Sequence, residues 1–85
     1  MEERYVVYSK ENCSYCQQAK NLLLIKGKSF VIRQLNVDFT LEEFITKFPE
    51  QKTFPMVVHE KNNVNTEEKF YIEIGGYDRL KEYLV

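Results

Sequence analysis

Tyr5-Val6-Val7-Tyr8-Ser9-Lys10-Glu11-Asn12-Cys13-Ser14-Tyr15-Cys16 is the stretch whose reading decides the fold. Tyr5 to Tyr8 reads as a short buried strand. It breaks at the polar, turn-forming Lys10-Glu11-Asn12, and a C-x-x-C pair then opens a helical pattern. In an α-helix residues three apart share a face, so the two sulfurs can approach bonding distance. Cys13 falls at the N-terminal edge, where unpaired backbone N–H groups and the positive end of the macrodipole favour thiolate over thiol. Such positions lower a cysteine pKa from about 8.5 to roughly 3.5–7.5. Cys16, inside the first turn, is more sheltered and is expected to stay protonated longer. One reactive and one waiting sulfur is the layout that thiol–disulfide exchange requires.

Downstream of the pair, Cys16, Ala19, Leu22 and Leu23 form a helical stripe, and Gly27 is a natural helix stop. A strand rich in β-branched and aromatic residues is expected over about Phe30 to Val37. Strand, helix and strand with short links make a parallel, right-handed βαβ unit. A second helix is announced by Thr40-Leu41-Glu42-Glu43, a capping box, and carries Leu41, Phe44, Ile45 and Phe48 on one stripe until Pro49 stops it. Met56 to His59 reads as a strand, Asn62-Asn63 as a turn, and Phe70, Ile72 and Ile74, alternating with Tyr71 and Glu73, as a half-buried strand. Gly75-Gly76 interrupts the pattern before a last helix, in which Tyr77, Leu80 and Leu84 share a face and Asp78 can cap. The order is β-α-β-α-β-β-α, with no repeat or linker, and residues 1–85 are expected to make one domain.

Eighty-five residues bury only about 60–65% of the surface their unfolded chain exposes, so stability should be modest. An apolar fraction of 44%, including six tyrosines and six phenylalanines, suffices for a packed core. A net charge of −1 with no basic or acidic block gives no signal for nucleic acid or an anionic membrane. Met1-Glu2-Glu3-Arg4 lacks the pattern of a signal peptide, and no apolar run approaches the roughly 20 residues needed to span a bilayer. Two cysteines are too few for a secreted disulfide scaffold, so the expected location is a reducing cytoplasm, where such a pair is catalytic or metal-binding. A structural zinc site needs about four ligands, more than two cysteines and one histidine supply.

Three motifs in order give the chain a resemblance to the glutaredoxins of the thioredoxin-fold superfamily. They are Tyr8-Ser9-Lys10 before Cys13-Ser14-Tyr15-Cys16, then Thr53-Phe54-Pro55, then Gly75-Gly76-Tyr77-Asp78 before a terminal helix. The resemblance implies an α/β, thioredoxin-like fold: a four-stranded mixed sheet of order 2-1-3-4 flanked by three helices, with a cis Phe54–Pro55 peptide. It implies a glutathione-disulfide oxidoreductase that uses Cys13 as nucleophile and Cys16 as resolving thiol. Glutathione is then the cosubstrate, with no tightly bound cofactor. The expected reduction potential is that of glutaredoxins, roughly −200 to −230 mV.

By the same resemblance Lys10 meets the glycyl carboxylate of glutathione, with Lys52 as a second cation. The Thr53-Phe54-Pro55 backbone pairs with the cysteinyl part. Gly76, Tyr77 and Asp78 grip the γ-glutamyl end, where a carboxylate at a helix N-terminus follows dipole chemistry. Tyr15 walls the groove. Taken alone, Lys10 is a solvated loop lysine and Asp78 an N-cap; only their co-occurrence with Cys13 and Thr53-Phe54-Pro55 reverses that. His59, the sole histidine, reads as structural or exposed at a strand end.

Two departures from the family pattern bear on this reading. Ser14 stands where proline is commonest, and some glutaredoxin-like proteins with serine there hold a [2Fe–2S] cluster between two subunits, with Cys13 as a ligand. Glu42 stands where many relatives carry a glutamine for the glycyl carboxylate, so like charge there weakens the grip. Alternatives are therefore a cluster-binding dimer and a thioredoxin-like reductase fed by a flavoenzyme, although the chain has no tryptophan. The expected partners are glutathione and disulfide-containing protein substrates, such as a ribonucleotide reductase, and the chain itself is expected to be a monomer.

Overall fold

The computed structural model describes residues 2–85. It places β1 (Glu2–Ser9), α1 (Ser14–Ile25), β2 (Phe30–Gln34), α2 (Leu41–Lys47), β3 (Met56–Asn63), β4 (Glu68–Gly75) and α3 (Tyr77–Tyr83) in the expected order. The sheet runs β2-β1-β3-β4. β1 pairs parallel with β2, Tyr5 opposite Phe30, and antiparallel with β3, Val6 opposite Val58. The β3–β4 ladder is antiparallel and carries an irregularity between Val57 and Val58, where Val57 faces Gly75 and Val58 faces Glu73. This is the mixed four-stranded order that the resemblance implied.

A central strand buried on both faces needs an unbroken apolar run, which Tyr5-Val6-Val7-Tyr8 supplies. Successive side chains point to opposite faces, so the run builds two cores. Tyr5 and Val7 join Ala19, Leu23, Val57 and Leu80 beneath α1 and α3. Val6 joins Phe39, Phe44, Phe48, Met56 and Val58 beneath α2. Ala19 and Leu23 of α1 are fully buried, and Leu22 is half-buried against the same core. Gly27 follows the helix at φ +68° with open space where a Cβ would stand, so its role is conformational. Gly75 needs its lack of a side chain twice over: φ is +115°, and a Cβ would sit 3.2 Å from Arg79 Cγ.

Five expectations are corrected. β2 ends at Gln34, because Asn36 turns at φ +67° and the Asp38 carboxylate accepts from the Gln34 N–H. The β3–β4 turn lies at residues 64–67, and Asn62 and Asn63 are strand residues facing Lys69 and Glu68. Of that stripe only Phe44 on α2 and Phe48, its C-cap residue, reach the core, whereas Leu41 and Ile45 are about half exposed. The helix is seven residues long and buries Phe44 alone; Phe48 at its C-cap and Phe39 from the preceding loop complete the cluster. Asp78 does not cap α3; Gly76 holds the N-cap position without a side-chain bond, and Asp78 sits inside the first turn. His59 is structural, as one of its two readings had it, but lies mid-strand instead of at a strand end and is buried, stacked on Tyr5 with ring centroids 4.2 Å apart. The α2 capping box forms as read, with Thr40 Oγ1 accepting from the Glu43 N–H at 3.1 Å and Glu43 Oε1 from the Thr40 N–H at 2.9 Å.

Candidate active site

The reactive pair is built by the transition from β1 to α1. β1 delivers the chain to the sheet end, Asn12 turns it at φ +54°, and Cys13 becomes the N-cap of α1 in extended conformation. Its sulfur takes the part that a serine or aspartate oxygen usually plays: it accepts the Cys16 backbone N–H at 3.2 Å. Cys13 and Cys16 are joined as a disulfide, with Cα atoms 5.3 Å apart. Cys16 is buried and Cys13 half-buried, so the outer sulfur is the one an incoming thiol or disulfide meets. An N–H aimed at that sulfur stabilises negative charge on it once the bond is reduced.

The second wall comes from the loop that enters β3. The Phe54–Pro55 peptide is cis, and the Phe54 carbonyl oxygen lies 3.9 Å from Cys13 Sγ. Thr53 is exposed, Phe54 half-buried and Pro55 buried. The Phe54 ring packs on Phe44 with centroids 4.5 Å apart, which ties this loop to α2. Lys10 is exposed and its Nζ stands 5.8 Å from the centre of the Phe54 ring, within cation–π range. The third wall is the start of α3. Gly76 lies against Pro55, whose carbonyl oxygen would be 3.6 Å from a Cβ at that position. Tyr15 is 58% exposed and its ring leans toward Tyr77 at 6.2 Å, bridging the cysteine loop and α3.

Cys13, Cys16, Lys10, Phe54, Pro55, Gly76, Tyr15 and Tyr77 are thus linked in a chain of neighbours that includes the pair of sulfurs. The remaining candidates make none of these contacts. Lys52 is exposed, and Asp78 points its carboxylate toward Lys81 at 3.7 Å. Glu42 is exposed beside Thr46, whose hydroxyl donates to the Glu42 carbonyl at 2.9 Å. A groove of about 540 Å³ opens beside the cysteines and is lined by Lys10, Cys13, Cys16, Gln17, Lys20 and Gln34 among others. Lys20 was not anticipated; its position one turn after Cys16 was the available signal. Among the described residues no group of three or more His, Cys, Asp or Glu side chains is placed to hold a metal ion, and no helix is long and apolar enough to cross a membrane.

The model of the family described as Glutaredoxin matches residues 5–64, from β1 through the cysteine pair and the cis-proline loop to the end of β3. The chain belongs to the glutaredoxin family. Family, fold and the Cys13–Cys16 pair together make it a thiol–disulfide oxidoreductase. A solved structure, that of glutaredoxin 1 from Francisella tularensis complexed with cacodylate, superposes with a TM-score of 0.68, covering 95% of this chain and 91% of that one. Sequence identity is 18%, so that likeness speaks for the glutaredoxin fold alone. No curated protein matches the chain.

Proposed function

We propose that this glutaredoxin uses glutathione as its cosubstrate, reducing glutathione mixed disulfides and protein disulfides through Cys13 and Cys16. The observation that carries the reading is the position of Cys13, whose sulfur accepts the Cys16 N–H and lies beside the Phe54 carbonyl of the cis-proline loop. An extended cysteinyl peptide laid along that loop brings its own sulfur in line with Cys13.

In the monothiol route the Cys13 thiolate attacks the glutathione sulfur of a mixed disulfide. The new Cys13–glutathione bond forms as the substrate thiolate leaves and takes a proton from solvent. A second glutathione thiolate then attacks the bound glutathione sulfur, which releases glutathione disulfide and regenerates the Cys13 thiolate. For a protein disulfide, Cys13 forms the mixed disulfide with the target and Cys16 displaces it, closing the internal bond observed here. Two glutathiones restore the dithiol. Lys10 and Lys52 attract the glycyl carboxylate, Tyr15 walls the cysteinyl part, and Gly76, Tyr77 and Asp78 meet the γ-glutamyl end.

The test is glutathione-coupled reduction of a glutathionylated peptide by wild type, Cys16→Ser and Cys13→Ser. The expected pattern is an active Cys16→Ser and an inactive Cys13→Ser. A wild type that ignores glutathione yet reduces insulin with a flavoenzyme donor refutes the glutathione reading and leaves the family standing.

A further inference from the structure

Gln51 sits between the end of α2 and the substrate loop, outside every motif singled out in the sequence. Its backbone N–H donates to the Phe48 carbonyl at 3.0 Å, which anchors it to the C-cap residue of α2. Its side-chain Nε2 donates to two carbonyls of the loop, Thr53 at 2.9 Å and Pro55 at 3.4 Å. A primary amide has two N–H donors on one nitrogen, so one side chain can hold both acceptors at once.

Those carbonyls flank Phe54, whose own carbonyl oxygen faces Cys13 Sγ at 3.9 Å. Holding those oxygens orients the Thr53–Phe54 and Pro55–Met56 peptide planes on either side of the Phe54–Pro55 peptide, and with them the direction of the Phe54 backbone groups. The Pro55 carbonyl held by Gln51 is also the one that Gly76 packs against, so the same amide sets the spacing between the cis-proline loop and α3.

We propose that Gln51 is a positioning residue: its side-chain amide clamps the Thr53 and Pro55 carbonyls and holds the Phe54 backbone in register for the extended cysteinyl peptide of the substrate. The inference rests on the glutathione reading above. A preorganised edge lowers the cost of ordering the peptide on binding and leaves the sulfur chemistry untouched. The clamp therefore acts on KM. Its removal leaves the reactivity of Cys13, which depends on the Cys16 N–H, as it was.

The experiment measures kcat and KM for a glutathionylated peptide, together with the rate at which iodoacetamide alkylates Cys13 in the reduced protein. Gln51→Glu replaces both N–H donors with acceptors, and Gln51→Met keeps the length without polarity. Thermal unfolding of both variants checks that each is folded. The expected result is a KM raised about five- to tenfold in each variant, with kcat and the alkylation rate within about twofold of wild type. KM within about twofold of wild type in a folded variant overturns the clamp, as does a fall in kcat and alkylation rate with KM unmoved. If both variants fail to fold, loss of the Thr53 and Pro55 contacts has collapsed the protein and a structural role replaces the positioning one. A wild type that turns over no peptide fails the glutathione reading and removes the clamp with it, whereas an active wild type with wild-type-like variants overturns the clamp alone.

Discussion

Removing one hydroxyl at the far end of the sheet tests how the last helix is fastened. His59 is buried on β3, stacked on Tyr5, and its Nδ1 lies 2.6 Å from the Tyr83 hydroxyl. Its Nε2 is 3.4 Å from a Glu3 carboxylate oxygen but has no hydrogen bond. Tyr83→Phe leaves both ring nitrogens without a hydrogen bond. An orphaned buried polar group costs about 1–3 kcal/mol. Tyr83 is 38% exposed, which lets water reach the vacated position, so the lower half of that range, about 1–2 kcal/mol, is expected. For a domain of this size each kcal/mol moves Tm by about 4–8 °C, which gives a drop of about 4–16 °C in thermal unfolding.

The same ring sets a pH dependence. Burial is the main cause holding the imidazole below its ordinary value of 6.5; Lys61 and Lys28 add to the effect, and Glu3 opposes it. The unfolded chain therefore binds the proton first as pH falls. The stability contributed by neutral His59 is fully present above about pH 6.5 and is lost as pH drops from there toward the lower folded value. The slope is at most about 1.4 kcal/mol per pH unit, since one proton is involved. Urea unfolding at several pH values between about 7.5 and 5.5 reads it, and His59→Phe, which keeps a ring against Tyr5, is expected to flatten the curve in that window. A His59→Phe protein with the wild-type slope, or a Tyr83→Phe protein with unchanged Tm, would refute the reasoning.

Three further outcomes are expected. Leu23→Ala empties a fully buried site under α1 and α3 and should cost about 2–5 kcal/mol in denaturant unfolding, with m unchanged. Thr40→Ala removes half of the capping box on a seven-residue helix and should cost about 1 kcal/mol by the same measurement. Lys10→Gln should raise KM for a glutathionylated peptide several-fold, with the difference from wild type shrinking as salt increases, because Lys10 is exposed.

The elements that the sequence displayed most clearly are those whose cause is local. The βαβ start, the Gly27 stop, the Thr40–Glu43 box and the place of Cys13 at the N-terminal edge of a helix each follow from a few neighbouring residues, and each stands in the structure. The misplaced features have distant causes. Asn62 and Asn63 read as a turn, yet pairing of Asn62 with Glu2 on one side and Lys69 on the other carries β3 past them. Leu41 and Ile45 fit a helical stripe, but a seven-residue helix over a sheet already covered by Phe39, Phe44 and Phe48 leaves them outside. In the site, the cysteines and Pro55 were legible as motifs. Gln51 was not, since the acceptors of its amide exist only once the cis-proline loop has folded.

The sulfur at the head of α1 is both a link in a covalent ring and the cap of a helix. Because the Cys16 N–H already points at Cys13 in the oxidised form, reduction presents the new thiolate to a donor that is in place. The reduced form is then expected to keep this backbone and to differ mainly in charge and protons at a single surface spot. On the proposed function, a protein that must leave the oxidised form and prefer the reduced one would then have little shape difference to sense there. What separates the two for a partner is electrostatic, so its preference should weaken as ionic strength rises.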